Sequence, residues 1–152
     1  MRMRVPKEAE EQIALVQWWR ISGLGTHDDL VKNTNEGKRT GFQGAYLKRM
    51  GMIPGTSDLF LSLPRGPFSG LWIEIKRNLC YPPSERNKPT WRAQEAFLER
   101  KRETGYAAEF VFGFEHGRKL ITWYMDLPCP DRLTHGAPRF LGGDFYTMGA
   151  AQ

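Results

Sequence analysis

The stretch that decides the fold is DLFLSLPRGPFSGLWIEIK, residues 58–76. Apolar and other side chains alternate at both of its ends, and a period of two is typical of β-strands with one buried face. The apolar positions on that face are Leu59, Leu61, Leu63, Leu71, Ile73 and Ile75. Two prolines and two glycines within residues 64–70 indicate a turn. The stretch therefore predicts a β-hairpin with strands over Asp58–Leu63 and Leu71–Lys76.

Helical and strand patterns flank this hairpin on both sides. Acidic residues in the first turns and Pro6 before them predict an amphipathic first helix. We expect one face of it to contain Ala9, Ile13, Val16 and Arg20, and we expect Leu15, Trp18 and Trp19 to widen its apolar side. The predicted helices are Lys7–Ser22, Gln43–Met50, Thr90–Thr104 and Glu115–Met125. The other predicted strands are Leu30–Lys32 and Ala107–Phe114, and polar residues 33–41 and 78–89 are predicted loops.

This order of elements places helices before, within and after a small mixed sheet. Such an arrangement predicts an α/β fold built as a three-layer sandwich. The chain has 152 residues, which is near the usual size of one domain. We expect that domain to cover residues 1–127 and residues 128–152, rich in proline, glycine and single aromatics, to form a C-terminal extension. The extension would pack on the domain or on a neighbouring subunit.

Composition excludes several classes of protein. No apolar run approaches the ~20 residues of a membrane span, and the N-terminus lacks the apolar stretch of a signal peptide. Two cysteines without CxxC spacing and three histidines argue against an ordinary zinc site. We therefore expect a cytoplasmic protein without a membrane partner. A net charge of +5 makes a polyanionic partner plausible.

Three polar residues of the hairpin can carry chemistry together. Glu74 and Lys76 are two residues apart, so both side chains lie on the same face of their strand. Asp58 begins the other strand, and the turn can bring its carboxylate towards Glu74. Two neighbouring carboxylates repel each other and attract a cation, and oxygen ligands suit Mg²⁺ or Mn²⁺. With a lysine beside the metal, this set is sufficient to hydrolyse a phosphodiester.

The same pattern has a structural alternative, because a Glu-x-Lys pair is also common on the solvated face of an edge strand. Trp72 and Phe60 share the face of these charges, which indicates burial against a helix. Buried charges are costly unless they pair or bind metal, and this favours the catalytic interpretation.

Longer motifs strengthen that interpretation. They are the segments NEGKRTGFQGAYLKRMGMIPGTSDLFLSLPRGPFSGLWIEIKR, residues 35–77, and RAQEAFLERKRETGYAAEFVFGF, residues 92–114. Together these segments resemble the VRR-NUC family of the PD-(D/E)xK nuclease superfamily, and the resemblance implies a restriction-endonuclease-like fold, a three-layer sandwich with a small mixed central sheet flanked by helices. The resemblance covers Glu8 to Met125 and departs from the superfamily pattern at Ser57, where a proline is usual.

The resemblance implies roles for individual residues. Asp58, Glu74 and the carbonyl of Ile75 would bind a divalent metal, Mg²⁺ or Mn²⁺. Lys76 would support the attacking water, and Gln94 would lie on a helix beside the site. A glutamate of the first helix would complete the site. The Glu-x-x-x-Gln spacing with Gln12 favours Glu8, although Glu11 lies one turn away and either glutamate can instead stabilise the helix dipole.

Several cations and one amide are expected to contact nucleic acid around the acidic centre. These residues are Asn35, Lys38, Arg39, Lys48, Arg49, Arg77 and Arg92. Tyr81 and Trp91 are open to two interpretations. They can stack on an unpaired base, or they can pin the loop to the core.

The function implied by the resemblance is a metal-dependent DNA endonuclease of the phage-type, stand-alone kind. It would select flaps or junctions during replication, repair or recombination, act as a homodimer and possess a helicase or replication partner. Two alternatives stay open: a sequence-specific restriction-type endonuclease, and a non-catalytic DNA-binding module on the same fold.

Overall fold

The computed structural model describes residues 4–33 and 41–130. The helices are α1 (Glu8–Ser22), α2 (Gly41–Arg49), α3 (Pro83–Arg86), α4 (Pro89–Glu103) and α5 (Phe114–Asp126). The strands are β1 (Leu30–Lys32), β2 (Leu59–Leu61), β3 (Leu71–Lys76) and β4 (Ala107–Phe112). Within the described ranges no helix is long and apolar enough to cross a membrane. The predicted contacts of Asn35, Lys38 and Arg39 lie outside the described residues, as does most of the predicted extension.

The four strands form one mixed sheet in the order β1-β2-β3-β4. The predicted hairpin is confirmed, because β2 pairs with β3 in the antiparallel sense, with Leu59 opposite Ile73 and Leu61 opposite Leu71. β4 runs parallel to β3 after a crossover through α4. The sheet thus joins a hairpin, whose loop is short, to a parallel pair, whose connection needs a helix.

Helices cover both faces of the sheet, which confirms the three-layer α/β sandwich. On one face α1 and α5 pack on the apolar side chains of the hairpin. On the other face α4 packs on β3 and β4, where Trp72 stacks on Phe60 and meets the edge of Phe97. The core between the first two layers includes Leu15, Trp19, Leu59, Leu61, Ile73, Ile75, Ile121 and Tyr124.

The prediction for α1 was right in part. Leu15 and Trp19, predicted on the apolar side, are buried, and Val16 and Trp18 pack against the core. Ile13, predicted on the same side, is 58% exposed, and Glu11 is buried. The buried stripe follows the four-residue spacing of a helix, but one of its positions is a carboxylate, which a pattern of apolar residues does not identify.

The prediction of an uninterrupted loop over residues 78–89 was also wrong. α3 forms one turn within it, with Pro82 as its N-cap and Pro83 in the first helical position. Proline suits that position because its fixed φ is already helical and its missing N–H would have no helical partner.

Close packing between α1 and α5 generates a test of stability. A Cβ on Gly117 of α5 would lie 2.8 Å from Cδ2 of the buried Leu15. We expect Gly117→Ala to lower the free energy of unfolding in a urea titration, because overpacking costs about 1–3 kcal/mol and outweighs the higher helix propensity of alanine. The matched control is Gly44→Ala in α2, where nothing lies within 4 Å of a Cβ. It should gain about 0.5–1 kcal/mol. Equal gains in both variants would contradict this account of the helix crossing.

Candidate active site

The site begins where the ladder between β2 and β3 ends. Continuing their register by one residue places Asp58 opposite Glu74. At this position a side chain replaces a backbone carbonyl as the hydrogen-bond acceptor. The N–H of Ile75 donates to Oδ2 of Asp58 at 2.8 Å. The bond satisfies a backbone donor and holds one carboxylate beside the strand that carries the other.

A tight turn brings Asp58 to this place. Gly55 has φ +80°, a conformation that L side chains rarely adopt, and a Cβ on it would lie 2.9 Å from the backbone carbonyl carbon of Ala93 in α4. Glycine thus lets the turn lie directly on α4. Ser57, which stands at the usual proline position, is fully buried, and its carbonyl accepts the side-chain N–H of Asn33 at 3.2 Å. The turn is therefore fixed without the proline.

Glu74 and Lys76 form a buried ion pair. Nζ of Lys76 donates to Oε1 of Glu74 at 3.0 Å, and the two side chains are only 10% and 2% exposed. The ammonium also lies 5.5 Å from the ring centre of Trp91, which stacks on Phe110. Lys76 is thus held between a carboxylate and an aromatic face, an arrangement that limits where its charge can move.

The ionisation of Glu74 is strongly perturbed. Burial is the largest cause, and together with the nearby Asp58 and Glu8 carboxylates it raises the pKa of Glu74 from 4.5 to about 8, against the opposing effect of Lys76. The second oxygen, Oε2, is buried and has no hydrogen-bond partner among the described residues. A negative charge at this position therefore requires a cation in addition to Lys76.

Glu8 and Gln94 come to the same place from different helices. Together with Lys76 they line a cavity of about 150 Å³, which Tyr81 and Trp91 also border. The influence of the Glu8 carboxylate on the pKa of Glu74 shows that its charge acts on the site. Three predicted site residues that are far apart in sequence thus share one cavity.

Glu11 has a different environment. Its Oε2 accepts the backbone N–H of Phe114 at 2.7 Å, at the first residue of α5. A carboxylate there satisfies a donor that has no helical partner and suits the positive end of the helix dipole. Of the two glutamates, Glu11 joins α1 to α5, and Glu8 is the one that borders the cavity.

Comparisons with known proteins support the fold. No family profile matches the sequence, and no curated protein matches it. A VRR-NUC domain protein of known structure matches with a TM-score of 0.67 and 25% sequence identity, over 84% of this chain and 94% of that chain. The chain is therefore similar to a VRR-NUC domain protein along most of its length. The restriction-endonuclease-like fold that the sequence motifs implied is confirmed.

The donor set of this site fits a hard divalent cation. The described residues hold no group of three or more His, Cys, Asp and Glu side chains arranged for a metal, so side chains alone do not form a complete cage. Asp58 and Glu74 offer carboxylate oxygens, of which Oε2 of Glu74 lacks a hydrogen bond. Since the N–H and C=O of a strand residue point to the same side, the Ile75 carbonyl also faces Asp58. Mg²⁺ usually keeps several waters and needs few protein oxygens.

The residues predicted to contact phosphates lie in different surroundings. Lys48 and Arg49 are exposed in the last turn of α2. Arg92 is also exposed and donates to Oδ1 of Asn87 at 2.7 Å. Arg77 donates to the carbonyls of Val5 and Pro6, at 2.9 Å each, so it anchors the segment before α1.

Sequence reasoning missed the aromatic support of Lys76. Tyr81 and Trp91 pack on each other with ring centres 5.2 Å apart and on β4 through Phe110 and Phe112, which favours their role in pinning the loop. A signal for Trp91 was present, because Trp91 and Gln94 are three residues apart and share a face of α4.

The different surroundings of the two glutamates predict opposite phenotypes. Glu11→Ala should lower the free energy of unfolding by about 1–3 kcal/mol, because it leaves the Phe114 N–H without a partner, and should retain nuclease activity well below the melting temperature. Glu8→Ala should change stability by at most about 1 kcal/mol and reduce cleavage by about 10–100-fold. Urea denaturation and cleavage rates at one temperature check both variants. The reverse pattern would assign the site to Glu11.

The raised pKa of Glu74 predicts a pH dependence of stability in the metal-free protein. Between pH 4.5 and about 8 the folded state keeps the Glu74 proton and the unfolded state has lost it. The wild type should therefore lose up to about 1.4 kcal/mol per pH unit relative to Glu74→Gln in this window, with no further relative loss above it. Urea titrations in EDTA at several pH values measure the difference. Parallel stability curves would contradict the prediction.

Proposed function

We propose that this protein is a metal-dependent DNA endonuclease that hydrolyses phosphodiester bonds and prefers flapped or branched DNA. The observation that carries the proposal is the buried Glu74–Lys76 pair beside Asp58, at the end of the hairpin. Burying these charges is costly, and an interior of packed apolar residues would be no less stable. Function is therefore the better reason for keeping them together.

Asp58, Glu74 and the carbonyl of Ile75 are the proposed ligands of Mg²⁺ or Mn²⁺. When bound, the ion would polarise the phosphoryl oxygen and lower the pKa of a water molecule. The raised pKa of Glu74 implies that this carboxyl loses its proton when a cation replaces it. Asp58 is held in place throughout by the N–H of Ile75.

Lys76 orients the attacking water and stabilises the negative charge that develops on the phosphate. Its ammonium is directed by Oε1 of Glu74 on one side and by the face of Trp91 on the other. Glu8 and Gln94 border the cavity that Lys76 faces, so they are proposed to position water or the leaving group through hydrogen bonds. Lys48, Arg49 and Arg92 are proposed to contact phosphates on either side of the cut, and Arg77 to orient the site through the segment before α1.

The decisive experiment is cleavage of labelled duplex, single strand, 5′ flap, 3′ flap and four-way junction DNA with Mg²⁺ or Mn²⁺. We expect metal-dependent cutting that is fastest at a flap or junction. Asp58→Asn keeps an oxygen acceptor for Ile75 but removes the charge, and it should reduce the rate by about 100-fold or more without loss of the fold.

Each other outcome selects a different interpretation. Discrete fragments from plain duplex DNA would indicate a restriction-type enzyme. Tight binding without cleavage in either metal would indicate a non-catalytic DNA-binding module. Sedimentation of the same samples, with and without DNA, tests the proposed homodimer, and a helicase or replication partner stays a prediction of the resemblance.

A further inference from the structure

A second cavity lies on the same face of the sheet as the proposed catalytic residues. It has a volume of about 440 Å³ and lies between α4, the end of α2 and the turn that leads to Asp58. Trp72 lines it two residues before Glu74, and Thr56 lines it two residues before Asp58. Two strand residues span about 7 Å, so the cavity adjoins the catalytic groups.

The side chains that line this cavity include aromatic, aliphatic and cationic groups. Trp72 and Phe97 supply rings, and Leu47, Met50 and Ile53 supply aliphatic surface. Nζ of Lys101 lies 5.0 Å from the ring centre of Trp72 and 5.1 Å from that of Phe97. Among the described residues that line the cavity there is no carboxylate. Such walls suit a planar, uncharged or electron-rich group attached to an anion.

The surface beside the cavity has the same character. Phe42 and Tyr46 of α2 and Met50, the residue after its end, recur every four residues and are 85%, 54% and 66% exposed. They form an apolar stripe that reaches the cavity at Met50. Lys48 and Arg49 stand beside the stripe, and residues 41–57 contain no Asp or Glu. Cations next to exposed apolar side chains match a nucleic acid strand, in which phosphates alternate with bases.

We propose that this cavity binds one unpaired nucleobase next to the scissile phosphate. The proposal rests on the endonuclease function and gives it a physical basis for preferring flaps or junctions. The base enters beside Met50 and lies against Trp72 or Phe97, while Lys101 faces the strand. A fully paired duplex gains nothing from the cavity unless a base leaves the stack, which costs free energy. DNA that already contains an unpaired base avoids this cost.

The test compares two DNAs with identical phosphates. One is a flapped duplex with 2-aminopurine at the first, second or third unpaired position, and the other has an abasic residue at the same position. Binding is measured by anisotropy in Ca²⁺, a cation with looser coordination than Mg²⁺. We expect the wild type to prefer the base-containing DNA at one position by about 5- to 150-fold and to quench its 2-aminopurine fluorescence.

Two variants test whether the preference for base-containing DNA comes from this cavity. Met50→Glu places a carboxylate at the cavity and should reduce the ratio of the two affinities to about one. Ala45→Glu adds the same charge to α2 at an exposed residue that does not line the cavity, so it should keep the wild-type ratio. The ratio cancels the general repulsion between an added charge and DNA, because both DNAs experience it equally.

The results separate this inference from the proposed function. Equal affinity of the wild type for both DNAs, together with metal-dependent cleavage, would overturn the base pocket and leave the endonuclease intact. A preserved base preference without any cleavage would support the pocket and overturn the endonuclease. If sedimentation showed that Met50→Glu converts a dimer into a monomer, a second copy of the chain would cover the cavity and the inference would be wrong.

Discussion

The hydrogen bond from the Ile75 N–H to the Asp58 carboxylate is the interaction on which the proposed site depends. It occurs at the position where β2 stops and β3 continues, so a side chain takes the place of the next backbone acceptor. β2 therefore ends at the position where the carboxylates of Asp58 and Glu74 approach each other. The glycine turn at Gly55 makes it possible, because only a residue without Cβ fits so closely against Ala93 of α4.

Burial then gives these charges their properties. Glu74 is nearly inaccessible, and its partner Lys76 neutralises only one of the carboxylates in the neighbourhood. With Asp58 and Glu8 close enough to raise its pKa, Glu74 favours the protonated form when no cation is present. A metal cation and a proton therefore compete for the Glu74 carboxylate, so the binding of metal depends on pH.

The bounds of single elements could be predicted from the sequence, because they depend on residues close together in it. Contacts between residues far apart in the sequence could not be predicted from spacing. The alternation in Leu71–Lys76 gave the bounds of that strand correctly, because its period reflects a sheet with one apolar and one functional face. In α1 the pattern of apolar residues did not identify the buried Glu11, because its partner, the Phe114 N–H, lies 103 residues away. The meeting of Glu8, Lys76 and Gln94 likewise depends on three separate elements. Resemblance to a family indicated it, and spacing alone did not.

The unequal cover of the two sheet faces explains where function can reside. Two helices, α1 and α5, close the apolar face, and its side chains form the core. The opposite face is packed by α4, which contacts β3 and β4, and cavities remain on both sides of that helix. A polymer can approach a face with a single central helix from either side of that helix. The charged residues of β3 therefore point to a layer with cavities on both sides of α4, whereas the apolar core fills the space between the sheet and the other two helices.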